Sequence, residues 1–226
     1  MSEFYARLRA ADPETWQAYV EHPFVQALGD GSLPRACFVH YLRQDYVFLI
    51  HFIRAYALGV HKTDRIEEIR QLAGTVHALS EFEMQLHIQT CAREGLSEAD
   101  LAATPEEREN LSYTRYVLDL GQRGDLLDLL VAQAPCVLGY GEIGRRLAAE
   151  TGGPPAGHPY AEWIATYASA EFAEVGARHE ALMEAVCRRR LGAKPWTSPR
   201  WAELAASFAT ASRLEAGFWD MGLRGG

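Results

Sequence analysis

Six of the ten prolines in this chain stand at or beside the head of a segment with helical apolar spacing: Pro13, Pro23, Pro34, Pro105, Pro159 and Pro199. A proline in the first turn of a helix is tolerated, because its missing N–H would have no intrahelical partner there. Inside a strand the same residue deletes a ladder hydrogen bond. Between these points apolar residues recur every three or four positions. No segment alternates with period two for long, and no Asn-Gly hairpin signal occurs. The pattern predicts an all-α protein whose helices are long enough to pack as one bundle.

Taken in order, the first segment is amphipathic and Asp12-Pro13 starts a helix that ends near His22. Pro23 opens a short helix through Leu28, stopped by Gly29-Asp30-Gly31. A long helix is expected from Pro34 to Val60, a break at His61-Lys62-Thr63-Asp64, and a second long helix from Arg65 to Arg93. Ser97-Glu98-Ala99-Asp100 has the form of a capping box with Asp in the acidic place. Thr104-Pro105 is read as the start of a helix to Gln122, and Asp125 to Ala149 as another. Thr151 to Gly157 is a loop by composition. Pro159 opens a helix reaching Leu191, Lys194 to Thr197 connects, and Ser198-Pro199 begins the last helix, to Leu223. The 151–157 loop is too short for a linker, and no repeat is present, so a single domain over residues 1–226 is expected.

A hydrophobic fraction of 48% supplies a full core, and a net charge of -8 argues against a nucleic-acid partner, which calls for a basic face. The cysteines at 37, 91, 136 and 187 form no CxxC pair and lie in helix-like segments, unlike a disulfide scaffold. No signal peptide is read at Met1-Ser2-Glu3-Phe4, and no apolar run of about 18 residues is read as crossing a membrane. The expectation is a cytoplasmic protein.

The chemistry concentrates in Ala134-Pro135-Cys136-Val137-Leu138-Gly139-Tyr140-Gly141-Glu142-Ile143-Gly144. A proline inside a helix bends it. Tyr140 follows Cys136 by four, so thiol and phenol share a face. The small residues let another helix or a flat ligand approach. Cys136 is thus a candidate nucleophile; the plainer reading is a small buried hydrophobe. Tyr41, Asp45, Phe48 and Phe52 share one face of their helix. An acid there is either a structural carboxylate or a polar anchor in a ligand pocket. Phe208, Ser212, Glu215, Phe218 and Trp219 repeat the pattern. Glu215 is either a desolvated general acid or a solvent-facing residue beside a core pair. Tyr113 with Tyr116, and Tyr160, Trp163 and Tyr167, add aromatic stripes. None of the eight histidines follows Glu or Asp by three, as carboxylate-bridged di-iron bundles require. Glu83 and His87 are four apart but have no second matching pair, so no metal is expected. The Gly139–Gly144 run follows no strand and is no nucleotide fingerprint.

Together these pieces resemble the thiaminase II (TenA) family over most of the chain, in collinear order. The resemblance is carried by His22-Pro23-Phe24-Val25 with Gly29 to Leu33, by Tyr41-Leu42-Arg43-Gln44-Asp45-Tyr46, and by Pro135-Cys136 with Tyr140 and Ile143-Gly144. Trp163 to Tyr167 and Glu215 to Met221 complete it. It implies a haem-oxygenase-like fold without haem, a homotetramer, and the cysteine-bearing branch. The implied activity is hydrolysis of a small aminopyrimidine, 4-amino-5-aminomethyl-2-methylpyrimidine, to its hydroxymethyl counterpart, with thiamin cleavage as a companion reaction and no cofactor. It further implies Cys136 as nucleophile, Glu215 as general acid and Asp45 on the 4-amino group. Tyr113, Tyr140 and Tyr167 would line the pocket. One departure is Phe48, where many cysteine-bearing members carry a tyrosine three residues after the aspartate.

Overall fold

The structure of the protein, a computed structural model, describes residues 1–150 and 157–225. All regular structure among the described residues is helical. In chain order the helices are α1 (Glu3–Ala11), α2 (Pro13–Val20), α3 (Pro23–Asp30), α4 (Arg35–His61) and α5 (Ile66–Ala78). A π-helical turn (Leu79–Glu83) leads into α6 (Met84–Arg93), followed by α7 (Glu98–Ala102), α8 (Arg108–Arg123) and α9 (Leu126–Glu150). Then come α10 (Ala161–Ala168), α11 (Ala170–Leu191), a 3₁₀ turn (Pro195–Thr197) and α12 (Trp201–Leu223). The loop expected at Thr151 to Gly157 lies, apart from Gly157, outside the described residues.

Most of the expected start signals act as anticipated. Asp12 Oδ1 accepts from the Thr15 N–H at 3.2 Å ahead of Pro13, and the Ser97–Asp100 capping box is closed in both directions. Pro23 occupies the first turn of α3, and Gly31, at φ +80, ends it in the left-handed region that favours glycine.

Three expectations are corrected. Pro105 does not open a helix; α8 begins at Arg108. The Gln44 side chain donates to the Pro105 carbonyl at 2.9 Å and accepts from the Glu107 N–H at 3.1 Å, which holds this strap against α4. The helix expected over Arg65–Arg93 is interrupted by the π turn. The helix expected up to Leu191 breaks at Ser169, whose backbone is extended (φ -66, ψ 156). Its hydroxyl accepts from the Phe172 N–H at 3.1 Å, so a cap forms where helix would otherwise continue.

The chain forms two compact units, Met1–Leu33 with Leu130–Ala216, and Pro34–Leu129 with Gly217–Gly226. The first has an aromatic core in which Trp16 stacks on Phe208 (centroids 5.4 Å, 19°) and Tyr5 meets both edge-on. His179 donates from Nε2 to the Leu130 carbonyl at 3.0 Å, and burial pushes its imidazole down to about 4. The second unit is organised on α4. Its Phe48 stacks on Phe52 and on Tyr113, and meets Phe218 edge-on. Lys62 donates to the Gln122 and Gly124 carbonyls at 2.9 and 3.0 Å, closing the end of α8. By length and composition α9 is apolar enough to span a membrane, but 83% of its most apolar window is buried inside the protein, so it is a core helix.

Candidate active site

The stretch around Cys136 sits within α9, with Pro135 inside the helix. Pro135 brings no N–H to the Val131 carbonyl. One turn on, the Tyr19 hydroxyl donates to the Pro135 carbonyl at 3.2 Å. Its ring lies on Gly139 so closely that a Cβ there would be 2.3 Å from Tyr19 Cε1. At Gly144 a Cβ would be 2.4 Å from the Tyr167 carbonyl carbon. The small residues therefore admit parts of the protein itself, Tyr19 at Gly139 and the Tyr167 backbone at Gly144. Tyr140 lies 4.9 Å from Tyr167 and 5.9 Å from Trp163, and the latter two are 4.5 Å apart, centroid to centroid. Cys136 is half-buried and one turn from Tyr140. The other three cysteines are buried. Burial drives the Cys91 and Cys187 thiols up to about 12, and Cys37 donates to the Leu223 carbonyl. A thiol held protonated is a poor nucleophile.

Phe208, Ser212, Glu215, Phe218 and Trp219 are all buried, as a shared helix face requires. Glu215 is 2% exposed, which rules out the solvent-facing reading. Ser212 bonds back to the Phe208 carbonyl at 2.9 Å.

In the second unit Tyr41, Asp45, Phe48 and Phe52 are buried together. Burial raises the Asp45 carboxyl to about 7, against the opposing effect of the Tyr41 hydroxyl that donates to it. His87 Nδ1 lies 3.5 Å from Asp45 Oδ2, and His87 Nε2 lies 2.7 Å from the Leu42 carbonyl. Burial lowers the His87 imidazole below its ordinary value. Glu83, at the end of the π turn, is raised to about 7 by loss of water and then by Asp45. His87 thus lies beside Asp45, and Glu83 is close enough to feel its charge. Among the described residues no group of three His, Cys, Asp or Glu side chains is placed to hold a metal ion.

A family model described as TENA/THI-4/PQQC matches residues 10–225. The chain belongs to this family. A protein of Halalkalibacterium halodurans named aminopyrimidine aminohydrolase is 39% identical, over 96% of this chain and 94% of its own. The crystal structure of a TenA family transcription regulator from Silicibacter sp. TM1040 is 49% identical, with a TM-score of 0.94 over 98% of this chain and 97% of that one. A domain from Shewanella denitrificans with a heme oxygenase-like fold, 14% identical, superposes with a TM-score of 0.73 over 97% and 92% of the two chains. The TENA/THI-4/PQQC chain thus has the haem-oxygenase-like all-α fold.

Within this TENA/THI-4/PQQC member the structure joins Tyr140 to Tyr167, and Phe48 to Tyr113, as ring pairs. It gives Asp45 two partners that sequence reading did not assign, Tyr41 and His87. Tyr41 was within reach of the sequence, being one turn before Asp45. His87 carried no signal of its role, because 42 positions separate it from Asp45.

Proposed function

We propose that this protein is an aminopyrimidine aminohydrolase of thiamin salvage. Its substrate is 4-amino-5-aminomethyl-2-methylpyrimidine, hydrolysed to the hydroxymethyl pyrimidine and ammonia, with thiamin as a second substrate of the same chemistry. The observation that carries the reading is the half-buried Cys136, one turn before Tyr140 in a cluster of tyrosine and tryptophan rings. Flat rings bordering a thiol suit covalent attack on a flat heteroaromatic ring. The 39% identity to a protein named for this activity supports it.

In the proposed reaction the Cys136 thiolate forms a bond to a ring carbon while Glu215 delivers a proton to a ring nitrogen. The exocyclic C–N bond then breaks and ammonia leaves. Water adds to the exposed methylene and gives up a proton, the C–S bond breaks, and the ring nitrogen returns its proton to Glu215 as the ring regains its aromaticity. Only water is consumed, and no cofactor enters. Asp45 accepts from the 4-amino group. Tyr113, Tyr140 and Tyr167 hold the ring, and Phe48 packs against it. We place the enzyme in the cytoplasm as a homotetramer.

The description of the Silicibacter protein as a regulator suggests a second reading, but a net charge of -8 counts against a DNA-binding role. Incubation with the aminomethyl pyrimidine, followed by assay of hydroxymethyl product and ammonia, tests the proposal. Wild type should turn over. Cys136→Ser should lose turnover by more than about a hundredfold, while Cys37→Ala, Cys91→Ala and Cys187→Ala keep most of it. Full activity in Cys136→Ser would remove the covalent step. No product from wild type on either substrate would make this a binding protein.

A further inference from the structure

The proposed reaction leaves His87 unused, although it is buried against Asp45. The Leu42 carbonyl, 2.7 Å from Nε2, can only accept a hydrogen bond, so Nε2 carries the ring proton. In a neutral imidazole Nδ1 is then a bare acceptor, and it lies 3.5 Å from Asp45 Oδ2. An imidazole lone pair and a carboxylate oxygen repel one another. The contact is favourable only with a proton between them. Asp45 and His87 are 7% and 9% exposed, and separating charge across a buried pair is costly.

We infer that Asp45 meets the substrate as a carboxylic acid, its proton on Oδ2 directed at His87 Nδ1, and that His87 is the positioning residue that selects this oxygen. Oδ1 is left to accept. Of the titratable groups around the acid, the Tyr41 hydroxyl donates to it from the same helix and works toward the ionised form, whereas burial and two neighbours work against it: Glu83 and Cys91 stand one turn before and one turn after His87. Each of the latter two is made harder to ionise by a charge on Asp45, and the converse follows from the same Coulomb interaction. Phe48 and its stacked neighbours Phe52 and Tyr113 add no charge.

The inference deepens the proposed function and rests on it for its meaning. An acceptor oxygen with its proton turned away suits an exocyclic 4-amino donor, and a protonated Asp45 is not the base that ionises the thiol. The arrangement itself is testable without substrate.

The measurement is the imidazole ¹⁵N spectrum of the full chain labelled at histidine, with the His87 signals assigned by their loss in His87→Gln. At about pH 6, near the ordinary histidine midpoint, wild type should show His87 as the neutral Nε2–H tautomer with Nδ1 accepting a hydrogen bond. In Asp45→Asn the amide N–H replaces the acid O–H, so Nδ1 should stay an acceptor up to about pH 8, beyond the range in which histidine ordinarily titrates. In Asp45→Ala it should move to the position of an unbonded imine. A wild-type His87 found as imidazolium, or as the Nδ1–H tautomer, would overturn the inference. So would an Nδ1 signal unchanged in Asp45→Ala. Loss of the aminohydrolase reading would leave these spectra as they are, and a negative spectrum would leave the turnover assay untouched.

Discussion

Phe48 is the residue where this chain departs from the pattern it otherwise follows. Its ring stacks on Phe52 at 5.2 Å and Tyr113 at 5.3 Å, and meets Phe218 edge-on. In the reaction proposed above, a phenol at this position would offer the substrate a hydrogen-bond donor, whereas a phenyl can only pack. One net hydrogen bond is worth about 0.5–1.5 kcal/mol, roughly a 2- to 12-fold effect. Phe48→Tyr should therefore raise kcat/KM on the aminomethyl pyrimidine modestly, and the ratio to wild type on that compound and on thiamin is the measurement. A fall of more than about tenfold would mean that the hydroxyl meets an apolar group and that the pocket serves a different pyrimidine. At this scale the sequence was informative about burial and about partners one turn away, and silent about remote ones. Asp45 and Glu215 stood out as acids on apolar faces, and both are buried. Tyr41 pairs with Asp45 from one turn away, but His87 comes from a helix distant in sequence, which periodicity does not relate.

Among the elements, α9 is shaped by its neighbours as much as by its own residues. Gly139 is needed because Tyr19 occupies the space a side chain would take. Gly139→Ala should lose about 1–2 kcal/mol net, since the clash outweighs the gain in helix propensity, and lower Tm by about 2–8 °C. A rise in Tm, the usual result of Gly→Ala in a helix, would refute the close approach. His179 bonds the Leu130 carbonyl within the same unit and gives the fold a defined acid limit. Its imidazole titrates near 6.5 in the unfolded chain and near 4 when buried. Between these values the unfolded chain takes up a proton that the native protein excludes. This stabilising contribution is complete above about pH 6.5 and falls away toward pH 4, by about 3 kcal/mol in all. Asp45 and Glu83, raised to about 7, tilt stability the other way, lowering it as pH rises from the unfolded carboxylate range. The difference between wild type and His179→Gln in denaturant titrations at several pH values isolates the histidine, and the variant should show the shallower loss below pH 6.5. Helix starts were legible where the cap was local, as at Asp12-Pro13. They were misread where a remote group intervened, as Gln44 does at Pro105. The break at Ser169 and the π turn at Leu79–Glu83 leave apolar spacing almost undisturbed, so periodicity passed over both.

For the whole molecule, the all-α class and family followed from the punctuation and five motifs read together, while assembly did not. Phe82 is 67% exposed, and Ile50, Ile66, Leu86 and Leu111 in the same unit are exposed too. Large apolar side chains left in water are a reason to associate. Light scattering at micromolar concentration should give a mass near four times 25.2 kDa, and a clean monomer would count against the tetramer. The order in which the chain supplies its two units has a consequence for synthesis. Residues 34–129 emerge early, yet their unit also needs Phe218 and Trp219 against Tyr41, Leu223 against Cys37, and Arg224 against Glu107 and Glu109. At about 5–20 residues per second, the roughly 95 residues after Leu129 take on the order of 5–20 s to translate. For that time α4 waits on the ribosome with an unfinished apolar flank, so nascent-chain chaperones should engage this protein until its last helix is made.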